Sequence, residues 1–194
     1  KHDPIYRQLA NRCPLREPIL DIGCGRGQTQ LLLAHLNSSI SIVGLDWDED
    51  KIALATQAAK PFENIRFQKA DSRSASLPKS GTILMLDILH YNSIEEQNLL
   101  LRQVADALEP GGLVLIREMD AAQGWRSILT RWQETLGIWI GINKGTTLCF
   151  RPAQEICDVL EQAGLKTTLI PSWADTPLSN VLIEGRKAPK TSPS

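Results

Sequence analysis

What the chain has little of narrows the field first. Four cysteines occur among 194 residues, at Cys13, Cys24, Cys149 and Cys157. They form no short metal-binding pair, so no metal site is expected, and they are too few to staple a secreted scaffold, which leaves free thiols of a reducing cytoplasm. Charge of one sign is also lacking. The 21 Lys and Arg against 22 Asp and Glu leave a formal net charge of −1, without the basic footprint that a phosphate backbone requires, so no nucleic-acid partner is expected. No apolar run approaches the ~20 residues of a membrane span, so no membrane span is expected either. No charged-then-apolar signal region opens the chain, and Lys1 stands in place of an initiator methionine, so residues of the native N-terminus are expected to precede it. Internal repeats are missing, and the one low-complexity block is the short Thr191–Ser194 end.

What remains is globular material. An apolar share of 42% and a charged share of 22% exclude both disorder and a fibrous repeat, and the length suits one core. We expect a single domain over 1–186 with an N-terminal segment 1–17, and a flexible tail over 187–194. A monomer or homodimer fits that size.

Strand-like and helix-like stretches alternate along the chain. Pro18–Ile22 runs into the glycine-rich Gly23-Cys24-Gly25-Arg26-Gly27 and then into a helical stretch, Gln28 to Leu36. Apolar runs at 40–45, 65–68, 82–86 and 113–117 read as strands. Glu49–Lys60 and Ile94–Leu108 read as helices, the second stopped by Glu109-Pro110-Gly111-Gly112. A helix over 152–163, capped by Gly164, and strands over 166–170 and 181–184 complete the pattern. Near-continuous apolar strands separated by helices indicate an α/β fold with a parallel sheet covered on both faces. The alternation is interrupted at about 119–150, where Trp125, Trp132 and Trp139 recur at seven-residue steps on one helical face. This insertion reads as a lid, a plain core helix or a self-association face.

In an open α/β sheet the first strand-to-helix turn must let a ligand approach bare backbone. Gly23, Gly25 and Gly27 supply such a turn. A dinucleotide fingerprint would read Gly-x-Gly-x-x-Gly, but its third glycine is replaced here by Gln28. Asp21, just before the loop, would be repelled by a pyrophosphate and suits a ligand bearing cationic groups. A nicotinamide-dependent oxidoreductase is the rival that this argues against, since fold alone does not exclude it.

The segment Ile19-Leu20-Asp21-Ile22-Gly23-Cys24-Gly25-Arg26-Gly27 resembles the first motif of class I S-adenosylmethionine-dependent methyltransferases, in their small-molecule branch. Gly44-Leu45-Asp46, Lys69-Ala70-Asp71, the strand ending at Asp87 and Leu108-Glu109-Pro110-Gly111-Gly112 support the likeness over residues 18–185. The resemblance implies a Rossmann-like three-layer sandwich, with a mostly parallel seven-stranded sheet and a helical insertion after the fifth strand. It also implies S-adenosylmethionine as cofactor, S-adenosylhomocysteine as product, and transfer of a methyl group to an oxygen or carbon of a small molecule.

Carried over by position, the likeness places Asp21, Gly23, Cys24, Gly25 and Gly27 around the methionine portion of the cofactor. Asp46 would accept from the ribose hydroxyls, the alternative being a helix cap. Trp47 would flank the adenosine or else pack in the core. Asp71 and Ser72 would meet the adenine or form an ordinary turn. Asp87 ends the strand that faces the methyl group.

His90 is the candidate base, because its ordinary pKa near ~6.5 lets it take a proton at neutral pH; a structural hydrogen-bonding role is the alternative. Tyr91 would bind substrate or pack. Arg117, Glu118 and Asp120 cluster at the next strand end, where Arg117 would grip an acceptor carboxylate or pair with Glu118. Trp125 would contact substrate from the insertion. The family motif that recognises planar nitrogens, an acidic or Asn residue followed by Pro-Pro and an aromatic, is absent, which argues against nucleic-acid bases and glutamine amides as acceptors. A non-catalytic cofactor-binding module is the second rival.

Overall fold

The computed structural model describes residues 3–72, 76–122, 148–173 and 179–190. Seven strands form one sheet: β1 (Ile19–Ile22), β2 (Ile42–Asp46), β3 (Ile65–Lys69), β4 (Ser80–Leu86), β5 (Leu108–Met119), β6 (Leu165–Pro171) and β7 (Asn180–Lys187). Their order is β3-β2-β1-β4-β5-β7-β6. The pairs among β1 to β5 are parallel, and β7 runs antiparallel to both β5 and β6. This is the expected mostly parallel α/β sheet.

The period of two sorts the strand side chains onto two faces, and both are buried. Leu20, Ile22, Ile83, Met85, Val114 and Ile116 face helices α4 (Ile94–Ala107) and α5 (Ala153–Gln162). Ile19, Ile42, Leu84, Leu113 and Leu115 face α1 (Pro4–Ala10) and α2 (Gln28–Leu36). α5 shows why these segments are helical: Ala153, Ile156, Cys157 and Leu160 recur at spacings of three and four and are all buried. Each large aliphatic side chain buried in this way contributes about 1.5–3 kcal/mol. α4 begins in a reciprocal capping box, with the Ser93 hydroxyl accepting from the Glu96 N–H and the Glu96 carboxylate accepting from the Ser93 N–H.

The structure differs from the sequence expectations at three places. The opening stretch, read as polar, contains α1: Asp3 caps it by accepting from the Ile5 N–H at 3.0 Å, Pro4 occupies the first helical turn, and Ile5 and Leu9 are buried one turn apart. The helix expected to end at Leu108 ends at Ala107, and the Glu109–Gly112 punctuation is not a loop but the start of β5. Leu108 pairs with Ser80 and Leu113 with Thr82, so the intervening residues form a bulge within one continuous strand. The tail is tied further than expected: Arg186 and Lys187 belong to β7, the Ala188 carbonyl accepts from the Gly111 N–H, and the Lys187 ammonium donates to the carbonyls of Ala105 and Leu108.

Strands β1, β2, β3, β4 and β5 all end on the same edge of the sheet. The chain order reverses between β1 and β4, which opens a crevice outside the carboxyl ends. The last residues of these strands and the loops after them carry the described residues singled out in the sequence.

Candidate active site

The turn after β1 is pinned to β2 by the N–H groups of Gly23 and Cys24, which both donate to the Leu45 carbonyl, at 2.7 and 3.0 Å. Gly23, Gly25 and Gly27 all hold positive φ, at 74°, 55° and 79°. The reasons for glycine differ between the outer two and the middle one. A Cβ on Gly23 would lie 2.3 Å from an Ile88 methyl, and one on Gly27 would lie 2.7 Å from the Phe67 ring. A Cβ on Gly25 would meet nothing within 4 Å, so the backbone there is bare toward open space, as a ligand cradle requires.

Two carboxylates stand under this loop. Asp46 at the end of β2 is 7% exposed, accepts from the Gly25 N–H at 2.9 Å through Oδ2, and accepts from the Asp48 N–H at 2.9 Å through Oδ1. It therefore braces the glycine loop. The helix-capping role considered for it falls to Asp48, which accepts from the N–H groups of Asp50 and Lys51 at the start of α3 (Glu49–Ala58). Asp21 is 2% exposed and accepts from the Gln30 side-chain amide on α2. Burial pushes its carboxyl up to about 8; the Gln30 hydrogen bond opposes this and the nearby Asp46 charge adds to it. Burial also raises the Cys24 thiol, which disfavours its thiolate form.

Trp47 is half exposed beside Asp46 and is not packed in the core. Asp71 and Ser72 follow β3 and are partly buried at the same edge, where the Ala70 N–H donates to the Asp46 carbonyl.

At the end of β4, Asp87 takes a left-handed φ of 57° and its N–H donates to the Arg117 carbonyl. Its carboxylate accepts from Nε of Arg117 at 2.9 Å and from a second guanidinium nitrogen. The remaining arm of Arg117 reaches both oxygens of Asp3, at 2.7 and 2.6 Å. Arg117 was expected to grip an acceptor or pair with Glu118; it is committed instead to Asp87 and to the cap of α1. The register explains this, since Leu86 pairs with Arg117 and brings the next residue alongside. Burial raises the Asp87 carboxyl, and the Arg117 charge pulls it back.

A short helical turn, Leu89–Tyr91, follows. His90 is 3% exposed, and its Nδ1 lies 2.7 Å from Oε2 of Glu118, itself 3% exposed. The other Glu118 oxygen accepts from the Leu89 N–H at 2.7 Å. Glu118, expected to bind substrate, is thus an internal partner of His90. The imidazole stacks on Phe150, with ring centres 4.9 Å apart, and lies 4.3 Å from the Tyr91 ring. A small cavity borders His90, lined by Gln97, Glu118, Phe150 and Arg151 among others. Asp120 caps α5, accepting from the N–H of Ala153. Trp125, Trp132 and Trp139, with all of 123–147, lie outside the described residues.

Sequence reasoning missed Asp3, Gln30 and Phe150. A polar residue on a helix or a phenylalanine after an insertion carries no local signal of its role. Asp3 directly before Pro4 does carry a helix-start signal that was not used.

A family profile described as a methyltransferase domain matches residues 16–167. The chain belongs to this family. It is an enzyme of the S-adenosylmethionine-dependent methyltransferase class, whose cofactor is S-adenosylmethionine. A Mycolicibacterium smegmatis protein described as a probable S-adenosylmethionine-dependent methyltransferase is 24% identical over 206 residues, covering 93% of this chain and 76% of that one. Other curated relatives are spanned over 34–64% of their length. Among solved structures, an O-methyltransferase family protein from Burkholderia thailandensis superposes with a TM-score of 0.76 at 18% identity, covering 97% of this chain and 56% of that one. Human N-acetylserotonin methyltransferase, solved with its methyl donor, gives 0.73 at 20% identity, with coverage of 94% and 51%. At these identities the two structures speak for the fold.

The residues present fit the cofactor. Gly25 offers bare backbone to open space, and Asp21 and Asp46 supply carboxyl groups at the loop for a ligand bearing a sulfonium and an ammonium. Among the described residues no cluster of His, Cys, Asp and Glu could hold a metal ion, and no helix is long and apolar enough to cross a membrane.

Proposed function

We propose that the chain methylates a hydroxyl oxygen of a small-molecule acceptor, with His90 as the base. The observation that carries this reading is the buried contact between Nδ1 of His90 and Glu118 at the ends of β4 and β5. Proton removal is what distinguishes a hydroxyl acceptor from one that is already nucleophilic. When bound, S-adenosylmethionine supplies the electrophilic methyl group. The Gly23–Gly27 loop, Asp21 and Asp46 hold it, with Trp47, Asp71 and Ser72 along its adenosine side.

With Glu118 accepting from Nδ1–H, the ring is kept in the tautomer whose Nε2 takes the acceptor proton. The carboxylate then stabilises the imidazolium that forms. Leu89 fixes Glu118 from the other side, so the pair is oriented before any acceptor arrives. Phe150 and Tyr91 flank the imidazole with apolar surface, which suits a planar, weakly polar acceptor and keeps bulk water from the ring. The free thiols fit a cytoplasmic setting.

The test is a labelled-methyl assay of the wild type and His90→Gln against phenols, aliphatic alcohols and carboxylic acids. The reading requires transfer to a hydroxyl that His90→Gln reduces by two orders of magnitude or more. Transfer to carboxylates alone, or a variant that turns over like wild type, would overturn it.

A further inference from the structure

Ile19 and Asp21 lie on the same face of β1, the face covered by α1 and α2. Asp21 therefore points at α2, where Gln30, three residues past the Gly27 cap, is fully buried. The Gln30 amide nitrogen donates to Oδ2 of Asp21. Its carbonyl oxygen Oε1 is buried and has no hydrogen-bond partner among the described residues. A buried amide oxygen left unpaired is unfavourable, and it is the cost of the observed orientation, in which the amide nitrogen donates to Asp21 and so favours the ionised carboxylate.

We propose that Gln30 is a positioning residue that lowers the cost of ionising the buried Asp21, so that the carboxyl can become an anion when the cationic cofactor meets the glycine loop. This rests on the reading that the Gly23–Gly27 loop and Asp21 hold S-adenosylmethionine. The need for such help is physical. The charge acting on Asp21 is that of Asp46 at the end of β2, which opposes its ionisation; the Cys24 thiol in the loop is in turn raised by Asp21 and Asp46 and lowered by Lys51 of α3. Across the sheet Asp21 faces Gly44 of β2 and Leu84 of β4, neither of which offers a charge. Gln30 supplies the hydrogen bond that favours the ionised form.

With a carboxyl titrating at about 8, about a tenth of Asp21 is ionised at pH 7. A cofactor that selects the ionised form then binds with an affinity reduced by that fraction. Binding at pH 7 releases a proton, and affinity rises with pH until Asp21 is fully ionised.

Two measurements on the full chain test this. The first follows the Asp21 carboxyl carbon by NMR titration of the cofactor-free wild type and Gln30→Met, a substitution of similar length that keeps the packing and removes the hydrogen bond. The second is calorimetric titration with S-adenosylmethionine from pH 6 to 9.5. The proposal expects the Asp21 midpoint in Gln30→Met to rise by at least one pH unit. It expects binding at pH 7 to weaken about tenfold, with the two proteins converging at the alkaline end. In an Asp21→Asn background, Gln30→Met should change neither the affinity nor its pH dependence. An unmoved midpoint, or a loss of affinity equal at every pH, would reduce Gln30 to ordinary packing. Should Gln30→Met fail to fold, Gln30→Leu takes its place in both measurements, with the same outcomes deciding. A wild type that binds no S-adenosylmethionine at any pH refutes the cofactor site, whereas the NMR titration judges Gln30 independently of it.

Discussion

Arg117 and Asp87 meet as a two-point pair across the ends of β5 and β4, Nε against Oδ1 at 2.9 Å and a second guanidinium nitrogen against Oδ2. The arginine side chain is 12% exposed and the aspartate 30%. The pair fixes Asp87 at its left-handed φ and so sets where the chain turns toward His90. Two-point Arg–carboxylate geometry of this kind is strong as well as directional. Removing one partner leaves the other charged and largely buried. Arg117→Met should therefore cost about 3 kcal/mol in urea unfolding. Asp3 touches the same guanidinium from a side chain 40% exposed. Asp3→Ala should cost about 1 kcal/mol, most of it the lost cap of α1. Equal losses from the two variants would mean that Asp3, not Asp87, is the partner that matters.

The proposed His90–Glu118 dyad gives a sharper kinetic expectation. Glu118→Gln keeps volume and the contact to the Leu89 N–H, but its amide no longer fixes the His90 tautomer or stabilises an imidazolium. A fall of about 10²-fold in kcat toward a hydroxyl acceptor is expected, with S-adenosylmethionine affinity unchanged in calorimetry. A variant that loses cofactor affinity in step with kcat would place Glu118 in cofactor binding instead.

The parts of this site that were legible in the sequence share a property: their signal is local. The Gly23–Gly27 loop, the acid ending β2 and the histidine after β4 are each announced by their immediate neighbours. The pairings were not legible, because they depend on register. His90 and Glu118 are 28 residues apart, and they meet only because β4 and β5 lie side by side with Leu86 opposite Arg117. The same register moved Arg117 from the anticipated Glu118 to Asp87. At the fold level, the alternation of apolar runs and helices carried the α/β class, whereas Pro110-Gly111-Gly112 masked the first third of β5. Proline and glycine normally end a strand, and here they are accommodated at a bulge where β5 first contacts β4. α1 was obscured by its length, since seven residues span only two turns and show too little of the helical period.

Gly25 separates folding from binding. Its backbone is left-handed at φ 55°, so alanine there is strained by about 1–2 kcal/mol, but its Cβ would enter open space and not neighbouring atoms. Gly25→Ala should fold with a modest drop in melting temperature and lose S-adenosylmethionine affinity by tenfold or more, since the methyl group would occupy the cradle. Gly27→Ala should instead fail at the level of stability, because its Cβ would lie 2.7 Å from Phe67 and 3.1 Å from Ala55. Thermal melts beside calorimetry distinguish the two, and a Gly25→Ala protein with wild-type affinity would move the cofactor away from this loop.

The last expectation concerns stability against pH in the cofactor-free protein. The folded-state carboxyl of Asp21 titrates at about 8, well above its ordinary value of 3.8. Folding therefore favours the neutral acid. That contribution is fully present below about pH 4, where Asp21 is protonated in both states. It diminishes as pH rises and the unfolded chain ionises first, and it is lost once pH passes the folded value near 8. Asp21→Asn is uncharged in both states and lacks this dependence. The difference in melting temperature, variant minus wild type, should therefore grow in favour of the variant between pH 5 and 8 and level off above that. Saturating S-adenosylmethionine should narrow the gap, because the cationic ligand stabilises the aspartate and has less to gain from the asparagine. A difference that stays constant from pH 5 to 9 would mean that Asp21 is already ionised in the folded chain, and that the acid beneath the glycine loop has enough support without a cation.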